Sequence, residues 1–166
     1  MSQDEKKNII LTDLVKAGIA NPFLNAGIIA VIQKESNFTP KKESSYKNTS
    51  AERLKSIFVT RLKNLTDADI DKVKTNDIKF FNIIYGGKAG NDFKNDGFIF
   101  RGAGLNQLTG KANFDQFGKL AKIELVNKPE LLDKFENASL VNAQYFKYWL
   151  NLGISKGSLK NLELQK

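Results

Sequence analysis

The sequence predicts a mainly α-helical domain interrupted by one irregular, glycine-rich insert. Apolar residues recur at helical spacing over most of the chain, and capping residues and proline stand where helices should open. The helical pattern fails between Gly86 and Gly104, where glycine, asparagine and aspartate dominate. At 166 residues, with no low-complexity spacer and no internal repeat, the chain suits one substantial core better than two. Residues 1–166 are therefore read as a single domain.

Taken in order, Leu11, Leu14 and Val15 before Gly18 predict a short amphipathic helix. Asn21-Pro22 reads as an N-cap with proline at the first helical position, opening a helix over about 22–34. Phe23, Leu24, Ala26, Ile28, Ile29, Ala30, Val31 and Ile32 are apolar on almost every face of it, as expected of a helix buried in mid-domain. Thr49 and Glu52 form a capping-box pattern ahead of Leu54, Ile57 and Phe58. Thr66 to Lys74 reads as a short polar helix, and Ile78 to Tyr85 as another that stops at Gly86-Gly87, where left-handed backbone becomes available. Phe98 and Phe100 alternate as in a small β-hairpin. Helix resumes from Lys111 to Lys122, Pro129 opens a helical turn, and Ala138 to Leu150 forms a last long helix ending at Gly153.

Composition removes whole classes of chemistry. With no cysteine and no histidine, the chain cannot build a disulfide framework, a cysteine nucleophile, a serine-histidine-aspartate triad or a histidine-ligated zinc site. An enzyme made of these residues must use carboxylates, lysines, hydroxyls or an all-oxygen metal site. The net charge of +8 implies attraction to a polyanion, whether nucleic acid, membrane or cell wall. The lysines are scattered, and no zinc module, RNA-recognition signature or basic-leucine pattern occurs, so a solvated basic surface is favoured over a nucleic-acid footprint. The N-terminal MSQDEKKNIILTDLVKAG mixes charges around a brief apolar run and reads as neither signal peptide nor membrane anchor.

Candidate chemistry concentrates in Asp96 to Phe114, DGFIFRGAGLNQLTGKANF. Gly102 and Gly104 allow close backbone approach, while Arg101, Asn106, Gln107, Thr109 and Asn113 offer donors and acceptors suited to sugar hydroxyls and acetamides. The plainer alternative is a glycine-rich hairpin running into a helix. Glu35 closes the apolar run of the second helix, where partial burial and the negative end of the helix dipole both disfavour a charged carboxylate. A carboxylic acid held protonated near neutral pH is what a general acid must be. The alternative is that Glu35 marks where the helix surfaces, solvated or paired with a lysine. Glu43 follows beyond Pro40; a continuous helix would set the two Cα atoms about 12 Å apart, but proline forces the chain to turn. A turned connection can reach the roughly 6.5–9.5 Å between carboxyl groups that inverting glycosidases use. Glu52 is explained by its capping box, and Asp92 and Asp96 by Asx turns within the insert.

The run DGFIFRGAGLNQLTGKANF resembles the DG-aromatic-x-(Tyr/Phe)-RGRG-x-x-QLTG-x-x-N-(Tyr/Phe) signature of glycoside hydrolase family 19, the chitinases and the chitinase-like endolysins of bacteriophages and bacteria. KESNF, KKESSYKNTSAERLKSIF, IIYGGKAGN and NKPELLDKFENASLVNAQYFKYWL agree with it in order, so the resemblance spans about residues 22–150. It implies a lysozyme-like, two-lobed helical fold and an inverting mechanism without cofactor or metal. Under it, Glu35 matches the general acid, Glu43 the general base, and Thr109 the hydroxyl that helps hold the nucleophilic water. Gln107 and Asn113 match sugar-binding amides, and Arg101, Tyr85 and Asn91 line or shape the cleft. One departure stands out: the second arginine of RGRG is Ala103, which predicts a guanidinium missing from the cleft floor.

The resemblance thus implies a hydrolase of β-1,4 glycan bonds in peptidoglycan, acting as an endolysin or tail-associated lysin. A chitinase on N-acetylglucosamine polymers is the near alternative, and a glycan-binding or assembly protein without turnover is the alternative of another class. A monomer is expected, made in the cytoplasm and reaching the wall by holin release or on a phage particle, with no nucleic-acid partner and no membrane insertion.

Overall fold

Ser2 opens the first helix of the computed structural model, which describes residues 1–156. The Glu5 N–H donates to Ser2 Oγ at 3.2 Å and the Ser2 N–H to Glu5 Oε2 at 2.6 Å, a reciprocal capping box. Helix α1 (Gln3–Lys16) therefore starts well before the predicted Leu11. Helix α2 (Pro22–Ser36) opens where predicted: Asn21 Oδ1 accepts from the Phe23 and Leu24 N–H groups at 3.0 and 3.1 Å. It is not buried on all sides. Asn25, Ile28, Ile32 and Ser36 face inward, but Phe23 is 85% exposed and Val31 46%, because α2 lies at the surface with one face against the core.

Helix α3 (Ala51–Ile57) is capped by Ser50, whose Oγ accepts from the Arg53 N–H, rather than by Thr49. Both residues are competent caps, but the one-residue shift moves Glu52 out of the reciprocal position, and its carboxylate is exposed without a capping bond. Short helices α4 (Val59–Leu62), α5 (Asp67–Val73) and α6 (Asp77–Tyr85) follow, with Thr66 and Asp69 forming the box at the head of α5. Gly86 ends α6 in an extended conformation, and the left-handed turn falls one residue later, at Gly87 with φ +67°.

The predicted hairpin around Phe98 and Phe100 is instead a helical turn, α7 (Asp96–Ile99). The β structure lies just beyond it. Strand β1 (Lys41–Lys42) pairs antiparallel with β2 (Ala103–Gly104), setting Lys41 opposite Gly104 and Lys42 opposite Ala103. Ala103 and Leu108 also exchange both backbone hydrogen bonds, closing a tight loop in which Gly104 and Gln107 have positive φ. Helix α8 (Lys111–Ala121), a 3-10 turn (Pro129–Asp133) and helix α9 (Phe135–Ser155) complete the described residues. α9 runs through Gly153, since its packed apolar face outweighs the modest helix penalty of one glycine. The fold is thus mainly α, with a two-stranded sheet as its β structure among the described residues. None of these helices is long and apolar enough to cross a membrane.

Apolar side chains gather into two clusters. The first takes Ile10 and Leu14 of α1, Ile32 of α2, Phe114 and Phe117 of α8 and Val141 of α9, with Phe38 and Phe100. The second takes Leu54, Leu62, Ile70, Phe80, Phe81 and Ile84 of α3 to α6, with Tyr46, Phe58, Tyr85 and Phe98 against it. Phe98 belongs to one cluster and Phe100 to the other, so the segment between them crosses from core to core.

The insert is fastened to the head of α8. Asn91 Oδ1 accepts from the Lys111 N–H at 2.8 Å and the Ala89 carbonyl from the Ala112 N–H at 2.8 Å, satisfying helix-end donors that have no intrahelical partner. Gly110 makes this approach feasible: its φ is +93°, and a Cβ there would lie 2.4 Å from Ala89 Cβ. Gly110→Ala combines left-handed strain with a backbone clash, so a loss of about 3 kcal/mol is expected, read as a lowered midpoint in urea unfolding. An unchanged midpoint would mean that the loop yields freely.

Candidate active site

Glu43 occupies the place where the two cores meet. It follows β1, and its backbone N–H donates to the Gly102 carbonyl at 2.7 Å, extending the strand pair by one bond. The sequence positions its donors on separate elements. Tyr46, in the loop before α3, donates its hydroxyl to Glu43 Oε1 at 2.9 Å. Tyr85, the last residue of α6, directs its hydroxyl at both carboxylate oxygens, 3.0 and 2.9 Å away. The Gly102 N–H adds a bond to Oε2 at 3.3 Å. The carboxylate is thus fixed from both cores.

Gly102 is also the point on which other candidate side chains converge. A Cβ built there would lie 2.7 Å from Gln107 Oε1 and 3.4 Å from both Glu43 Oε2 and Thr109 Oγ1. A side chain at 102 would therefore fill the space these three groups share. Thr109 donates its hydroxyl to the Gln107 carbonyl at 3.0 Å, which leaves its oxygen able to accept. Gln107 Nε2 donates to the Lys41 carbonyl at 3.3 Å, tying the loop after β2 to β1.

The other predicted residues form a supporting shell. Arg101 donates Nε to the Glu43 carbonyl at 3.0 Å and Nη1 to the Phe98 carbonyl at 2.6 Å, and its guanidinium lies 4.1 Å from the Phe98 ring centroid. Burial lowers its pKa from the ordinary arginine value, with the charges of Asp77, Glu43 and Asp133 opposing that shift. Asn113 donates to the Thr109 carbonyl at 2.7 Å. Asn91 is buried between the Tyr85 carbonyl and the head of α8, a bracing position. Asp92 accepts from the Lys94 N–H in an Asx turn, and Asp96 pairs with Lys111 at 3.1 Å. Asn106 Nδ2 is buried without a hydrogen-bond partner among the described residues.

Ala103, where the resemblance expects a second arginine, is fully buried in the first core. It follows the glycine whose amide serves the carboxylate.

Glu35 stands apart from this network. It lies in the last turn of α2, exposed, with no hydrogen bond or ion pair among the described residues. The expected partial burial is absent because α2 presents this face outward. Directly after it the chain reverses: Asn37 and Phe38 both take left-handed φ, 48° and 56°, and Phe38 is fully buried. Two consecutive non-glycine residues there are costly, and burial of the Phe38 ring holds the reversal in place. The chain turns between Glu35 and Glu43 as expected, but at Asn37 and Phe38, ahead of Pro40.

Sequence reasoning missed Tyr46 and the Gly102 amide as carboxylate partners. Tyr46 stands three residues after Glu43 in a stretch read only as loop; the amide has no side-chain signal at all. Burial first, then the Glu43 charge, pushes the Tyr46 phenol up to about 12, and the same causes push Tyr85 above the ordinary tyrosine range. Both phenols hold their protons more tightly folded than unfolded. The stability they contribute is therefore complete below about pH 10 and is lost as pH rises, through about 12 for Tyr46 and beyond that for Tyr85. Tyr85→Phe should lose less stability than wild type between those values, measured by circular dichroism during denaturation at each pH. Parallel losses in the two proteins would contradict the assignment.

Compared with known proteins, the chain matches no family model and no curated sequence.

Proposed function

We propose that this chain is a glycoside hydrolase that cleaves β-1,4 glycan bonds of peptidoglycan by inversion, with Glu35 as proton donor and Glu43 as the base that activates water. The observation that carries the reading is the convergence on Gly102: a carboxylate held by two phenols and an amide, with Thr109 and Gln107 around the same small space. In this mechanism Glu43 takes a proton from a water that also donates to Thr109 Oγ1, and that water attacks the anomeric carbon. Glu35 gives its proton to the departing glycosidic oxygen. Gln107 and Asn113 orient the sugar, while Arg101 and Asn91 keep the loops in register. The net charge of +8 favours an anionic wall over neutral chitin. Delivery by holin release or on a phage particle belongs to the same proposal.

The test is digestion of purified peptidoglycan, with the anomeric configuration of fresh product followed by NMR and the new reducing ends identified by mass spectrometry. Inverted product supports the mechanism; retained configuration refutes it. A second reading, glycan binding without turnover, is favoured by one observation: Glu35, the proposed proton donor, is exposed and bonds to nothing among the described residues. Binding of glycan without any release of reducing ends would select it.

A further inference from the structure

A pocket of about 300 Å³ opens between α4 and the end of α6, beside the Glu43 centre rather than in it. Tyr85 is common to both, lining the pocket while its hydroxyl reaches Glu43. Ile57, Val59 and Ile84 give the pocket apolar wall, and the first two are 42% and 64% exposed. Its charged lining is all of one sign: Arg61 and Lys88, with no carboxylate. Neither cation is in an ion pair among the described residues. Arg61 is anchored, donating Nη2 to the Gly86 carbonyl at 2.9 Å, and its Nε is buried without a partner.

A fixed guanidinium outside any ion pair among the described residues, a nearby ammonium and exposed aliphatic side chains together suit a ligand that carries a carboxylate on a short apolar body. An N-acetylglucosamine polymer has no such group. We infer that this pocket takes the peptide stem of peptidoglycan, the alanine methyl against Val59 and Ile57 and the following acidic residue's carboxylate against Arg61 and Lys88. The inference rests on the glycan-cleaving reading of the neighbouring site and deepens it: a glycan strand held over Glu43 would extend a stem across Tyr85. The pocket would thereby make the protein selective for substituted wall glycan over unsubstituted polymer.

Two soluble probes test this by calorimetric titration of the full chain: a disaccharide-tripeptide muropeptide, and the same disaccharide with its lactyl carboxyl capped as a primary amide in place of the peptide. Wild type is expected to bind the muropeptide about tenfold more tightly, as one charge-assisted contact allows, and that preference should shrink with added salt. Lys88→Glu should abolish the preference while leaving affinity for the bare disaccharide unchanged. Arg61→Ala should act likewise, but it also removes the Gly86 contact, so Lys88→Glu carries the test. Equal affinity of wild type for both probes, or an undiminished preference in Lys88→Glu, overturns the subsite alone. Failure to bind either probe overturns the glycan reading itself, and the subsite with it.

Discussion

Glu35→Gln is expected to lower peptidoglycan hydrolysis by about a hundredfold to ten-thousandfold, the range for loss of a positioned general acid, while leaving stability almost untouched. The first half rests on the proposed role, the second on where the residue lies. The side chain is exposed in the last turn of α2 and bonds to nothing among the described residues, so replacing the carboxyl by an amide breaks no contact. A change of stability beyond about 0.5 kcal/mol is not expected for such a surface substitution. An amide can still accept a hydrogen bond from substrate, but it has no proton to give to the leaving oxygen. Turbidity clearing of purified walls gives the rate, and thermal unfolding gives the stability. A well-folded variant with near-normal turnover would refute the proton-donor assignment.

Glu43→Gln should be as inactive and, unlike Glu35→Gln, measurably less stable. Oε1 accepts from Tyr46 and Tyr85, and Oε2 accepts from Tyr85 and the Gly102 N–H, so both oxygens are surrounded by donors. The glutamine oxygen can serve one side, but its NH₂ must then face a donor on the other. A part-buried donor left without an acceptor costs about 1–3 kcal/mol. Urea unfolding of the two variants side by side makes the comparison. Glu43→Gln with wild-type stability would mean that the bonds around the carboxylate contribute little, and an active Glu43→Gln would remove it as the base.

The difference between these variants also marks what sequence could and could not reveal. Where a signal is local, it was readable: Asn21-Pro22 caps and starts α2, and the short polar helix read from Thr66 is α5. Where two local signals compete, the outcome depends on neighbours. Thr49 and Ser50 are both good caps, and only the packed chain selects Ser50. The Phe98–Phe100 alternation gave the wrong element because its cause is not a pleat but a crossing between two cores. The exposure of Glu35 was misjudged because which face of an element looks inward is decided by distant partners. Convergence of Glu43 and Tyr85 on the Gly102–Thr109 segment is likewise tertiary, since both lie far from it along the chain and Glu43 meets it through the β1–β2 pair.

The seating of Glu43 has a mechanical consequence. Its two phenol partners belong to the core of α3 to α6, while its amide partner sits next to Phe100 and Ala103 of the other core. The carboxylate is a rivet between two apolar clusters, and its alignment is only as good as their packing. A small shift of one cluster against the other would stretch these hydrogen bonds before it disturbed either interior. A substitution deep in either cluster, remote from any substrate, would therefore reach the chemistry as lost alignment long before it reached it as unfolding.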